Sequence, residues 1–185
     1  TPLPFPENAF YLVVSTNLVC LSSDWVRCVA FKPNNANIVV SGSDDKTIIV
    51  WDITSGSCLS TLNVGGSVSS IDFAPCGNKL AAAFNIYDGV LEGAKEGGVK
   101  IFSNQGSAGF VCQSTLRGEN AISSLAFSPD GQLIATGEGN PHDPRQAGAV
   151  SIYCASTGQL KRALNVDAGA GGVRSVSFSP SGDMV

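Results

Sequence analysis

His142 is the only histidine in the chain. Any Ser–His–Asp or Cys–His device must therefore use it. It lies in Asn140-Pro141-His142-Asp143-Pro144, flanked by prolines and remote in sequence from any nucleophile. The expected reading is a solvated loop residue. Glu138, His142 and Asp143 bring together three ligand types for a metal, but without established ligand spacing. Gly169-Ala-Gly171-Gly172 has the glycine density of a phosphate loop. No Lys-Ser/Thr pair follows it, and it leads into a strand-like run instead of a helix. The acidic pair Asp44-Asp45 is accounted for by turn chemistry. Six cysteines, at 20, 28, 58, 76, 112 and 154, form no C-x-x-C pair. Most sit in apolar, strand-like runs, where a reduced thiol behaves as a small hydrophobe. No catalytic residue, cofactor or metal is assigned, and the chain is expected not to be an enzyme. The cysteines favour a reducing, intracellular setting.

Composition narrows the partners. Hydrophobic residues make up 43% and charged residues 14%, the balance of a well-buried globular chain. Net charge is −4 and no cluster of Lys and Arg is visible, so direct nucleic-acid binding is not expected. No apolar run approaches the roughly 18 residues of a membrane helix, so no membrane partner is expected either. The 21 glycines and 9 prolines predict many tight turns.

The elements that would carry any site come from a repeat. Val26-Arg-Cys-Val-Ala-Phe31-Lys-Pro33 returns as Val68-Ser-Ser-Ile-Asp-Phe73-Ala-Pro75. It returns again as Ile122-Ser-Ser-Leu-Ala-Phe127-Ser-Pro129 and as Val173-Arg-Ser-Val-Ser-Phe178-Ser-Pro180. A turn follows each copy, clearest in Ser128-Pro129-Asp130-Gly131. Short apolar runs come next: Ile38-Val39-Val40, Leu80-Ala81-Ala82 and Leu133-Ile134-Ala135. Third runs follow at 47–51, 99–102 and 150–153, and fourth runs at 58–62, 110–116 and 160–164. Four short strands per unit predict four-stranded antiparallel meanders. One such sheet cannot cover both its faces, whereas radially stacked sheets cover each other. The residue before Phe in each copy (Ala30, Asp72, Ala126, Ser177) is small enough for close sheet approach. Asp72 would need a hydrogen-bond partner there.

Ser41-Gly42-Ser43-Asp44-Asp45-Lys46-Thr47-Ile48-Ile49-Val50-Trp51-Asp52 closely resembles the closing half of a WD repeat, and Asp24 to Phe31 resembles its opening strand. The resemblance spans residues 24–185. It implies an all-β fold, a partial WD-repeat β-propeller with about three full blades and half-blades at both ends. In that family a His, the tight-turn Asp, a strand Ser or Thr and the Trp share a buried hydrogen-bonded network. Here Asp45 and Trp51 match, with Ser41 a candidate member, while Leu21-Ser22 stand at the usual Gly-His. Glu96 takes the Asp position in the second unit and Ala147 in the third. Phe102-Ser103 and Tyr153-Cys154 replace Trp-Asp. The third unit is also similar to blades of the echinoderm microtubule-associated-protein-like group and of scaffold-type WD-repeat proteins. That narrower likeness implies a cytoplasmic, cytoskeletal, ciliary or signalling assembly.

The expected organisation is an N-terminal segment over 1–21 holding the last strands of a preceding blade. Blades follow over 22–63, 64–117 and 118–166, with the start of a further blade over 167–185. A stop in mid-strand predicts a piece of a longer propeller. Ring closure within the chain, or between two chains as a homodimer, are the other arrangements. The leading function is a scaffold binding proteins or peptides. The other class is a propeller hydrolase or small-ligand-binding propeller.

In a meander the loop before the first strand and the loop between the second and third share one face. Both insertions, Asn85–Gly97 and Gly139–Gly148, belong to it. The family's partner-contacting positions fall on Trp25, Arg27 and Asp44 in the first unit and on Ser67, Ser69 and Lys95 in the second. They fall on Ala121, Ser123 and Gln146 in the third, and on Gly172 and Arg174 in the fourth. With the loop residues Tyr87, His142 and Arg145, the candidate partner-binding set is Trp25, Arg27, Asp44, Tyr87, Lys95, His142, Arg145, Gln146 and Arg174. Trp and Arg dominate interface hot spots. The opposing reading for Trp25 is packing on a neighbouring loop.

Overall fold

The computed structural model describes residues 22–87, 94–118, 120–139, 147–166 and 172–185. The strands of the first sheet are β1 (Val26–Phe31), β2 (Ile38–Ser43), β3 (Thr47–Asp52) and β4 (Ser57–Asn63). The second sheet holds β5 (Ser67–Phe73), β6 (Lys79–Tyr87), β7 (Ala94–Asn104) and β8 (Phe110–Gly118). The third holds β9 (Ile122–Phe127), β10 (Leu133–Glu138), β11 (Gly148–Cys154) and β12 (Leu160–Val166). Each sheet is an antiparallel meander whose strands neighbour in chain order. Among the described residues there is no α-helix, and no helix long and apolar enough to cross a membrane. The fold is the all-β, partial propeller that the repeat implies.

Alternation along each strand makes the stack. Val40, Ile48 and Val50 leave the first sheet on one face and meet Val68, Ile71, Phe73, Leu80 and Phe84 of the second. Ala81, Ala83, Val99 and Ile101 leave the opposite face of the second sheet. They meet Ile122, Leu125, Phe127 and Ile134 of the third. Close approach needs a small residue on the second strand. A Cβ on Gly42 would lie 2.5 Å from Val68 Cγ1, and one on Gly137 would lie 2.8 Å from Val173 Cγ1. The turns after the first strands stack in the same way. Gly77, Gly131 and Gly182 adopt φ of 69°, 70° and 81°, where a side chain is strained. Positions for a Cβ on them fall against Pro33, Pro75 and Pro129 of the preceding unit. The repeated Phe-x-Pro thus marks a turn-to-turn contact in each unit and a core plug at Phe73 and Phe127, whereas Phe31 is exposed.

Three expectations change. Much of the insertion at Asn85–Gly97 is strand, because Asn85 pairs with Gly97, Ile86 with Glu96 and Tyr87 with Ala94. Residues 172–185 form no ladder. They sit beside the third sheet as a first strand should: Val173 N donates to Glu138 O at 3.1 Å, and Val176 N donates to Ser124 Oγ at 3.2 Å. Cys28, Cys76, Cys112 and Cys154 are free thiols, whereas Cys58 is disulfide-bonded, a departure from a wholly reduced set.

Candidate interaction site

The network implied for the first unit is present in part. Trp51 Nε1 donates to Ser41 Oγ at 2.9 Å, both residues being buried. Asp45 does not reach that pair. Its Oδ1 accepts from Thr47 N at 2.9 Å and from Thr47 Oγ1 at 2.6 Å, and its Oδ2 accepts from Ser23 N at 2.8 Å, which closes the tight turn. Ser22, near the usual His position, keeps a buried hydroxyl with no hydrogen-bond partner among the described residues. In the third sheet Thr136 Oγ1 donates to the buried Glu138 at 2.9 Å in place of a Trp. Glu96 pairs with Arg117 on β8. These departures leave the sheets intact because strand pairing is independent of them.

Three of the partner-binding candidates converge with a fourth beside them. Trp25 directly precedes β1 and Arg27 is its second residue, and the β2–β3 turn brings Asp44 across. Arg27 donates to Asp44 Oδ2 through Nε at 2.7 Å and lies 2.6 Å from it through Nη2. This bond leads the causes that raise the Arg27 pKa, with burial opposing it. The guanidinium lies 4.9 Å from the Trp25 ring centroid, a cation–π stack on a half-exposed indole. Asp44 Oδ1 accepts from the Ser67 hydroxyl of the second sheet. The pair therefore ties the first blade to the second at their shared mouth.

A cleft of about 290 Å³ opens there, lined by Asp24, Arg27, Asp44, Lys46, the Gly65–Gly66 loop, Ser67 and the end of β6 through Tyr87. Trp25 is thus stacked on Arg27 at the edge of this cleft. Arg174 is exposed in the segment beside the third sheet. Lys95 lies in β7, with its side chain outside the described residues, and His142, Arg145 and Gln146 lie outside them altogether. At the positions carried to Ser69 and Ser123 the hydroxyls bond to the following unit. Ser69 Oγ donates to Ile122 O at 2.6 Å, and Ser123 Oγ donates to Val173 O. Lys46, Asn85 and Gly66 were absent from the sequence-derived set. The turn Asp44-Asp45-Lys46 gave the signal for Lys46, which adopts φ 72°.

Among the described residues no group of three His, Cys, Asp or Glu side chains is placed to hold a metal. The cleft offers paired charges, hydroxyls and an aromatic wall, which suits recognition of another chain more than bond-breaking chemistry.

The family model for "WD domain, G-beta repeat" matches residues 15–52 and 110–141. The chain carries WD repeats. The second match runs through β8, β9 and β10, so a WD repeat in sequence straddles two sheets in space. Relatives include a ribosome biogenesis protein BOP1 homolog of Brugia malayi, 33% identical over 72 residues, covering 39% of this chain and 10% of that protein. Ribosome biogenesis protein BOP1 of Mus musculus is 38% identical over 90 residues, covering 48% and 12%. Ribosome biogenesis protein ytm1 of Pyrenophora tritici-repentis is 30% identical over 108 residues, covering 58% and 21%. The matches thus span between a tenth and about a fifth of these relatives' length. WD repeats and these relatives support a protein-interaction scaffold.

The narrower expectations are corrected. The likeness to the echinoderm microtubule-associated-protein-like group is not what the comparisons find. The relatives are named for ribosome biogenesis, which overturns the cytoplasmic, cytoskeleton-associated location. One blade with an insertion was too little sequence to separate one WD-repeat group from another, because strand and turn patterns are shared by all of them.

Proposed function

We propose that this WD-repeat chain is a scaffold in a ribosome-assembly complex, holding protein partners on the face that carries the Arg27–Asp44 pair. The observation that carries the reading is the convergence of Trp25, Arg27, Asp44 and Tyr87 at one cleft between two blades. A rigid platform holds these groups before a partner arrives, which lowers the ordering cost of binding. Relatives named for ribosome biogenesis supply the kind of assembly. Protein–protein contact is the mode. The net charge of −4 argues against the chain gripping RNA backbone directly.

The test is sedimentation of the tagged full-length protein from cells. Co-sedimentation with precursor ribosomal particles, lost on Trp25→Ala/Arg27→Ala substitution, is the expected result. Migration away from such particles would overturn the assembly, and undiminished co-sedimentation of the double variant would overturn the site.

A further inference from the structure

We propose that the cleft between the first and second blades takes the carboxylate of an Asp or Glu side chain from a partner segment, held by Lys46 and Tyr87. This rests on the reading of that face as the docking face.

The argument is an accounting of charges. Asp44 has both oxygens engaged, Oδ1 by Ser67 and Oδ2 by Arg27. Arg27 is correspondingly engaged by Asp44 and stacked on Trp25. Asp24 is exposed, and its Oδ1 accepts from Trp25 N at 2.8 Å. Among the described residues, Lys46 is the cleft cation without an ion pair. Its backbone is held by two bonds, Lys46 N to Ser43 O at 3.2 Å and Val64 N to Lys46 O at 2.9 Å. Tyr87 is 55% exposed and brings a phenol to the same cleft. Gly65 leaves room, since nothing lies within 4 Å of a Cβ position there.

An ammonium and a phenol both donate, so the group they share is an acceptor, and the ammonium favours a charged one. A Lys or Arg side chain would face like charge at Lys46. A phosphate would bring a second negative charge toward Asp24 and Asp44. A single carboxylate suits Lys46, the lining cation that no ion pair engages among the described residues, and the unpaired Asp24 on the same lining limits the guest to one negative charge.

The probe is a short fluorescent Gly/Ser peptide carrying two Glu residues around a Phe, titrated against the full-length protein by anisotropy. Gln, Lys and phosphoserine versions run beside it. The Glu peptide is expected to bind, with the Gln version roughly tenfold weaker, the scale of one charge-assisted hydrogen bond. Lys46→Gly relaxes the left-handed turn while removing the ammonium, so lost binding would not reflect a lost fold. It should weaken the Glu peptide roughly tenfold and leave the Gln peptide unchanged. Lys46→Arg should restore binding. Equal affinity for Glu and Gln, tighter binding of the Lys or phosphoserine peptide, or no effect of Lys46→Gly would each overturn the proposal. So would no binding of any peptide. If particle co-sedimentation still depends on Trp25 and Arg27 in that case, the docking face stands and the carboxylate assignment alone has failed.

Discussion

The two seams of this stack solve one packing problem differently. Between the first and second sheets the contact is broad and apolar, with Val40, Ile48 and Val50 against Val68, Ile71, Phe73, Leu80, Phe84 and Phe102. Little polar bonding crosses it. Cys28 Sγ lies 3.9 Å from Val68 O, and Ser67 reaches Asp44 at the mouth. Between the second and third sheets the second sheet contributes smaller side chains, among them Ala81 and Ala83, and the seam is laced with hydrogen bonds. Asn85 Oδ1 accepts from Ile122 N at 2.8 Å and its Nδ2 donates to Ile122 O at 2.9 Å. Leu125 N donates to Ser70 Oγ at 3.2 Å, and Phe127 N donates to Asp72 Oδ2 at 2.8 Å. The positions on β1 that match Ser70 and Asp72 are Cys28 and Ala30. One backbone geometry is therefore held by apolar volume in one seam and by side-chain clips in the other. The apolar seam is the one with the charged cleft at its mouth, where a partner's contacts would add to what holds it.

The largest expected break is at the apolar seam. Gly42→Leu would drive side-chain atoms into Val68 and Ile71, costing about 3 kcal/mol by the scale of overpacked cores. Denaturant unfolding would show it, and an effect below about 0.5 kcal/mol would mean the seam is not close-packed. At the clipped seam, Asp72→Ala leaves Phe127 N without its acceptor and should cost about 2 kcal/mol, while Asp72→Asn retains an acceptor and should cost less. Equal losses for the two variants would remove the clip from the account.

Asp72 also gives the clipped seam a pH dependence. Burial raises its pKa above the ordinary Asp value, against the opposing effect of bonds from Phe127 and Phe73 amides. The folded state then holds the proton more tightly than the unfolded chain. The stability so gained is complete below the unfolded pKa and is lost as pH rises through the folded one. Across the window from the ordinary Asp pKa to the raised one, the native protein should lose stability relative to Asp72→Asn. A pH series of denaturation midpoints checks this, and parallel curves would contradict it.

The smallest effect is chemical. Burial pushes the Cys28 thiol up to about 12, with a backbone hydrogen bond from Gly42 opposing. The Cys154 thiol is brought down to about 6 by hydrogen bonds, led by the Ser156 and Thr157 hydroxyls. At neutral pH an alkylating reagent should modify Cys154 ahead of Cys76 and Cys112, and reach Cys28 only when the apolar seam opens. Peptide mapping of a time course reads the order. Early modification of Cys28 would mean that the seam opens readily.

The fold was legible because Phe31, Phe73 and Phe127 repeat with their prolines; Phe73 and Phe127 fill the two seams, while Phe31 stays exposed. Asp72 was legible too, since a carboxylate among apolar residues demands a partner. The clips from Ser69 and Ser123 were not. Serines on an inner strand face either a neighbouring blade or a partner, and sequence spacing cannot say which. Arg27 and Asp44 were legible through the partner-contacting positions that the WD-repeat resemblance carries to them. Lys46 was hidden because a turn lysine looks like any solvated one until the turn fixes where it stands. The extended β6–β7 hairpin was missed because Gly97 and Gly98 looked like loop residues, yet they pair with Asn85 and Phe84.

The central claim is that the face bearing Trp25 and Arg27 holds protein partners. The most direct measurement is quantitative affinity capture with the full-length protein and its Trp25→Ala/Arg27→Ala variant, side by side, with thermal unfolding of both. The account predicts that the specific partners are lost from the variant while cooperative unfolding persists. Partners retained in full by a folded variant would contradict it.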